Sequence, residues 1–292
     1  MFAQKRNLEE KMLPKLGLIA GGGDLPLQVI AHCLKIGRPI FGIGIEGQSD
    51  PHLFEGRIPH VWCRLGALGK MVKTLLAEDV RDVVLIGGIK RPSFRELRPD
   101  FYGAKLVARL GIKALGDDEL LSFLVRELES HGFSVKGIEE VLPAENILLP
   151  KGHLGKREVP DFLMEDMKLG IKVARLLGRA DVGQSVIIDQ GLVLGVEAIE
   201  GTDALIERCG NLKKERFQSL KPSGLLVKLC KPQQEGKVDL PTLGLRTLEN
   251  LLAKGFLGVV AEADKTLLID QKACQKFADK EGLFVFGWEE EK

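Results

Sequence analysis

The sequence predicts a two-domain α/β protein: a parallel-sheet, Rossmann-like first domain followed by a mixed α/β second domain with antiparallel parts. Three observations point there. In the first half, short apolar runs alternate with helical stretches. Two of those runs end directly in glycine turns, Gly21-Gly22-Gly23 and Gly87-Gly88. After a segment rich in proline, glycine and charge the rhythm changes, which sets domains at residues 1–146 and 147–292.

The elements follow in order. Residues 16–20 form an apolar strand, followed by a helix over 27–36 that stops at Gly37. Strands are expected at 39–45 and 61–64, a helix up to about residue 77, and a fourth strand over 82–89. Asp117 is placed as an N-cap, with Leu120, Leu121, Leu124 and Leu128 on one helical face behind it and Gly132 as the stop. Residues 133–141 are expected to be a strand. In the second half a helix starts at Asp161 with Leu163, Met167, Ile171, Ala174 and Leu177 as its apolar face; acids fill its first turn and Arg175 and Arg179 lie near its end. Strands at 185–188 and 192–199 flank Asp189-Gln190-Gly191. A short helix over 202–208, a strand over 224–230 and a helix over 245–254 follow. A hairpin of 257–262 with 266–270, a helix from Gln271 and a strand over 283–286 close the chain.

Composition narrows the function. The 292 residues are 45% hydrophobic and 28% charged, as in ordinary globular proteins, and the net charge of +1 gives no bias toward nucleic acid. Aromatics are 5%, and none are interleaved with basic residues as a base-stacking surface requires. Five cysteines lie far apart without a C-x-x-C pair and read as buried apolar residues; five histidines show no zinc-ligand spacing. The charged N-terminus lacks the apolar segment of a signal peptide, and no run is long enough to span a membrane, so a cytoplasmic protein is expected.

The loop IAGGGDLP joins a strand to a helix. Glycines let backbone approach a ligand, and a helix N-terminus favours phosphate, so Gly22, Gly23 and Asp24 are candidate contacts. Gly87 and Gly88 end another strand; in a parallel sheet both loops lie at the carboxyl edge, where ligands bind. Lys90 and Arg91 follow and suit a phosphate. The spacing is neither G-x-G-x-x-G nor a P-loop, and a purely structural βα turn explains the first loop equally well. The acids of the second half are Asp189 at the end of a very apolar run, Glu197 within an apolar strand, Glu200 and Asp203 around Thr202, Asp239 in KVDLPTLG, and Glu262 at a strand end. Turn formation, helix capping and hairpin flanking account for several of them taken singly. Converging carboxylates repel by roughly 4 kcal/mol at 4 Å and an effective dielectric of 20, and a divalent cation relieves this. An all-oxygen set suits Mg²⁺ or Mn²⁺. Lys228 would add positive charge beside phosphates.

IAGGGDLP, VVLIGGIKRP, LGDDELL, DQGLVLGVEAIEGTD and KVDLPTLG, in this order over residues 16–270, together resemble the LpxI family of UDP-2,3-diacylglucosamine pyrophosphatases. The pair DQG…VEA.EGTD with DLPT.G is the specific part. The resemblance implies a cytoplasmic enzyme peripheral to the inner membrane that clasps UDP-2,3-diacylglucosamine between two domains. Hydrolysis would give UMP and 2,3-diacylglucosamine 1-phosphate and require a divalent metal, Mg²⁺ or Mn²⁺. Asp239 matches the acid essential for turnover. Asp189, Glu197, Asp203 and Asp239 are the expected metal ligands, and Gly22, Gly23, Asp24, Gly87, Gly88, Lys90, Gln190, Thr202 and Lys228 the expected substrate contacts. A homodimer is compatible with this; nucleic acid is not an expected partner. One departure stands out: the family's P-x-Q-D-x-R-x-D is Pro232-Gln233-Gln234-Glu235-Gly236-Lys237-Val238-Asp239 here, and Lys237 cannot make the bidentate fork of arginine.

Three other readings compete. A non-catalytic nucleotide-sugar or lipid-binding protein would bind the same ligand without releasing UMP. An NAD-dependent oxidoreductase would use Glu46, at the end of the second strand, for ribose, but the missing G-x-G-x-x-G weakens that reading. A structural protein has little use for an acid such as Glu197 inside an apolar strand.

Overall fold

The computed structural model describes residues 13–89, 100, 117–217, 222–232 and 240–290. The chain divides into two compact units, Met1–Leu142 and Pro143–Lys292.

In the first unit, β1 (Leu16–Ala20), β2 (Ile40–Ile45), β3 (His60–Cys63), β4 (Asp82–Ile86) and β5 (Ser134–Lys136) form one parallel sheet of order β3-β2-β1-β4-β5. The helices are α1 (Leu25–Ile36), α2 (Leu68–Ala77) and α3 (Asp117–Ser130). The parallel sheet follows from its sequence, because β1, β2 and β4 are apolar without alternation, as strands buried on both faces must be. Gly42 and Gly44 leave room for Phe54 and Trp62, whose rings lie 5.7 Å apart. At the amino edge Arg38 and Asp82 form a buried pair at 2.5 Å. The strand expected over 133–141 ends at Lys136: Gly137 turns the chain into a short 3₁₀ segment, Ile138–Glu140, held by Glu140 Oε1 accepting the Gly137 N–H.

The second unit carries a six-stranded mixed sheet of order β6-β13-β11-β9-β7-β8. Its strands are β6 (Gly152–His153), β7 (Ser185–Asp189), β8 (Leu192–Val196), β9 (Leu225–Lys228), β11 (Gly258–Glu262) and β13 (Phe284–Trp288). A separate parallel pair joins β10 (Thr242–Leu243) to β12 (Leu267–Leu268). The helices are α4 (Ala144–Ile147), α5 (Met164–Arg179), α6 (Thr202–Phe217), α7 (Leu245–Ala253) and α8 (Gln271–Glu281). Strand alternation builds two cores. Ile187, Leu226, Val259 and Ala261 face the side of α6, α7 and α8, while Val186, Ile188, Val227 and Val260 face α5. Gly170 lets α5 sit close, since a Cβ there would lie 2.5 Å from Val227 Cγ2.

β7 and β8 form a hairpin through Gln190 and Gly191, whose φ values of 53° and 75° are those of a two-residue type I′ turn. Pairing runs from Asp189↔Leu192 to Val186↔Val196, so β8 carries one residue more than β7. A bulge absorbs it, and both Leu194 and Gly195 turn toward the α6 side.

Two further expectations are corrected. The helix over 202–208 extends to Phe217; Gly210 inside it is where Lys254 packs, and a Cβ there would lie 2.6 Å from the lysine stem. The hairpin of 257–262 with 266–270 does not form. Leu267 and Leu268 are buried and pair with β10, not with β11. Asp270 then caps α8 by accepting the Ala273 N–H at 3.1 Å.

Candidate functional site

The sheet order of the first unit puts its switch point between β1 and β4, where the chain reverses its winding direction. Both glycine loops sit there. Gly22 and Gly88 exchange backbone hydrogen bonds of 2.9 and 3.0 Å, so the loops are stapled together. A Cβ on Gly21 would fall 2.6 Å from the Gly87 carbonyl oxygen, and one on Gly87 2.7 Å from the Gly22 carbonyl oxygen. Those two glycines are therefore required by backbone crossing. Gly23 is exposed at φ +96° and leads through Asp24, also exposed, into α1. Gly88 differs: its φ is ordinary and nothing among the described residues lies within 4 Å of where a Cβ would be. Among the described residues nothing requires glycine at that point. Lys90 and Arg91 lie outside the described residues.

At the carboxyl edge of β9 in the second unit, four polar side chains meet. Lys228 is buried, and its Nζ donates to Thr202 Oγ1 at 2.9 Å and to the Thr242 carbonyl at 3.1 Å. Thr202 Oγ1 donates in turn to Glu197 Oε1 at 2.8 Å and lies 3.3 Å from Ser185 Oγ. The Glu197 N–H is tied to the Ser185 carbonyl at 2.8 Å. Position explains the cluster: β7 runs antiparallel to β8 and β9, so the start of β7 and the ends of the other two share one edge. Thr202 is the first residue of α6, and its hydroxyl reaches sideways to Glu197. Among the described residues Glu197 Oε2 is buried without a hydrogen-bond partner, which is unusual for a carboxylate oxygen. Lysine beside carboxylate and two hydroxyls is an arrangement that can hold an anionic group and accept a proton.

Asp189 sits at the other end of β7, beside the start of β9. It is fully buried, accepts from Ser223 Oγ at 2.9 Å and pairs with buried Lys213 at 3.4 Å. Lys213 Nζ also donates to the Ser223 and Gly255 carbonyls at 2.5 and 2.6 Å and lies over the Phe256 ring. Burial pushes the Lys213 ammonium below its ordinary pKa, against the pull of Asp189. β7 is five residues long, so about 13 Å of strand separates Asp189 from Ser185. The expectation that Asp189 shares a site with Glu197 is thus corrected: the antiparallel hairpin places them at opposite edges.

The other expected residues divide as follows. Asp203 turns toward α7, with Arg246 at 3.2 Å and Asn250 at 3.0 Å, and does not join Glu197. Gln190 is in the I′ turn at the Asp189 edge, where buried Asp166 accepts the Gly191 N–H at 2.7 Å; it is not beside Lys228. Glu200 Oε2 accepts the Ala198 N–H and Oε1 pairs with Arg208; its own backbone N–H first, then Arg208 and the Ala198 N–H, hold its carboxyl below the usual range. Glu262 accepts the Cys230 N–H at 3.2 Å and pairs with Lys265. Asp239, Glu235 and Lys237 lie outside the described residues. Among the described residues no three His, Cys, Asp or Glu side chains gather as a metal set, and no helix is long and apolar enough to cross a membrane.

As for a divalent cation, Asp189 and Asp203 do not fit one shared with Glu197. Glu197 itself fits, because its Oε2 is buried and has no hydrogen-bond partner among the described residues. Sequence reasoning did not single out Ser185 or Lys213. Ser185 merely opens an apolar strand, and Lys213 stands in a charged helical stretch that reads as solvent-facing; only the fold turns them inward.

Comparison with known proteins supplies the remaining observation. Residues 15–144 match the LpxI N-terminal domain and residues 150–286 the LpxI C-terminal domain. Over 275 residues the chain is 40% identical to the UDP-2,3-diacylglucosamine pyrophosphatase LpxI of Caulobacter vibrioides, covering 94% of this chain and 97% of that one. Solved structures match only loosely. The biotin carboxylase subunit of pyruvate carboxylase aligns at 13% identity and TM-score 0.27 over 69% of this chain and 40% of that one. A GalE-like L-threonine dehydrogenase from Cupriavidus necator aligns at 11% identity and TM-score 0.28 over 90% and 89%. Neither carries a functional argument.

Proposed function

The chain belongs to the LpxI family, and from that premise we propose that it hydrolyses the pyrophosphate of UDP-2,3-diacylglucosamine, releasing UMP and 2,3-diacylglucosamine 1-phosphate for lipid A synthesis. The observation that carries this reading is 40% identity, sustained over 94% of the chain, to a relative named for that activity. The buried Lys228–Thr202–Glu197 cluster supports it locally, as does Gly88, a glycine that no described neighbour requires.

In this reading Lys228 and Thr202 face the pyrophosphate. A buried ammonium, oriented among the described residues by Thr202 Oγ1 and the Thr242 carbonyl, stabilises charge gathering on phosphate oxygens. Within the first unit by itself, the Gly88 backbone and the α1 terminus after Gly23 offer a contact for a phosphate or sugar group. Asp239 stands three residues before Thr242, whose carbonyl binds Lys228. Asp239 takes the proton of the attacking water; the water oxygen bonds to one phosphorus as the bridging P–O bond breaks, and the leaving phosphate departs with the bridging oxygen. Mg²⁺ or Mn²⁺, held by Glu197 and Asp239, would screen the phosphate charges. The lipid substrate also calls for peripheral contact with the inner-membrane surface.

The test is UMP release by the purified full-length chain from UDP-2,3-diacylglucosamine, with and without EDTA, beside Asp239→Ala. Metal-dependent release lost in the variant supports the reading. Tight substrate binding with no UMP formed by the wild type would instead establish the non-catalytic binding protein.

A further inference from the structure

Next to the Lys228 cluster the surface becomes apolar. Ile199 is 90% exposed and lies two residues from Glu197 and three from Thr202. Ala198 beside it is also exposed. The neighbouring loop, between α5 and β7, carries Val182 at 48% exposure. The two loops are pressed together: a Cβ on Gly183 would overlap the Glu197 carbonyl oxygen. Single exposed aliphatics are common, but these three share one rim. The charges flanking them are spent on one another, Asp181 with Lys231 at 2.9 Å and Glu200 with Arg208 at 2.9 Å. The rim is thus apolar, with the flanking Asp181–Lys231 and Glu200–Arg208 charges paired, beside the Lys228 cluster.

Resting on the function proposed above, we propose that Val182, Ala198 and Ile199 form the contact for the first methylenes of an acyl chain of the substrate. The chemistry of the substrate requires such a neighbour. Its 2-acyl group hangs on the ring carbon adjacent to the one bearing the phosphate, so a protein that holds the phosphate at Lys228 and Thr202 meets the start of that chain close by. A neutral aliphatic rim suits a hydrocarbon, whereas an unpaired lysine or glutamate there would be desolvated by it.

Ile199→Ser and Val182→Ser test this in the purified full-length protein. Both residues are solvent-exposed, so folding is preserved. Detergent-dispersed UDP-2,3-diacylglucosamine with long acyl chains is compared with an analogue bearing two acetyl groups. The expected result for Ile199→Ser is a KM raised about five- to tenfold for the long-chain substrate, with kcat and the acetyl-analogue KM within twofold of wild type. Equal effects on both substrates, or none on either, would overturn the assignment. So would unchanged kinetics with reduced pelleting on anionic phospholipid vesicles, which would give the rim to the bilayer instead. Absence of UMP release by the wild type is a different outcome and counts against the function proposed above, not against the rim alone.

Discussion

Lys228 Nζ and Glu197 are joined through one hydroxyl: Thr202 Oγ1 accepts from the lysine at 2.9 Å and donates to the carboxylate at 2.8 Å. The direction of both bonds is fixed, because an ammonium only donates and an ionised carboxylate only accepts. Lys228→Met keeps the aliphatic stem and removes the charge. It is expected to lower kcat/KM for UMP release by about 10²- to 10³-fold, while the far-UV circular dichroism spectrum stays native.

Thr202→Val removes the shared hydroxyl at nearly constant volume. Two buried polar partners then lose a bond, so unfolding free energy in urea is expected to fall by about 1–3 kcal/mol. Activity should fall with it, and Thr202→Ser should restore both.

The Asp189–Lys213 pair gives a sharper stability test. Lys213→Met leaves a fully buried carboxylate that keeps, among the described residues, its hydrogen bond from Ser223, and a loss of about 3–5 kcal/mol is expected. The double variant Asp189→Asn with Lys213→Met should lose much less, so the cycle in chemical denaturation shows strong coupling.

Burial lowers the pKa of Lys213, so near that value the unfolded chain, with its ordinary value of 10.5, binds the proton more tightly. This contribution to stability is fully present above pH 10.5 and is lost as pH falls through the depressed folded value. Urea melts from pH 8 to 10.5 should therefore show wild-type stability rising relative to the double variant. A falling difference would refute the assignment.

The glycines separate by role. Gly21→Ala drives a methyl into the Gly87 carbonyl and is expected to destabilise the first unit by about 1–3 kcal/mol, seen as a lower melting temperature. Gly88→Ala meets nothing in the described fold. It should leave the melting temperature within a degree or two yet raise KM for the substrate.

Much of this molecule was legible beforehand. Apolar runs with glycine stops located β1, β2, β4 and α1, because burial on both faces leaves a continuous apolar signature. Glu197, Thr202 and Lys228 could be named from residue type and motif, and the fold brings them together. What sequence could not supply was which end of a strand a residue occupies in space. Asp189 and Glu197 are eight positions apart, but a tight turn between them sends one to each edge of the sheet. Leu267 and Leu268 looked like the return arm of a hairpin because burial alone does not name the partner; the actual partner, β10, lies more than twenty residues upstream. Lys213 was invisible because a charged helical stretch hides the one member that turns inward.

The surplus residue of β8 has a consequence for parity. Three steps along β7 are matched by four along β8, so the reverse turn at Gln190-Gly191 and the orientation of Glu197 are set independently of each other. With equal arms, keeping the turn would rotate Glu197 to the α5 side of the sheet, out of reach of Thr202, and keeping Glu197 would force an extra residue into the turn. A one-residue irregularity at the rim of the sheet thus reconciles two demands of opposite phase, and the chemistry at one end of the hairpin depends on it.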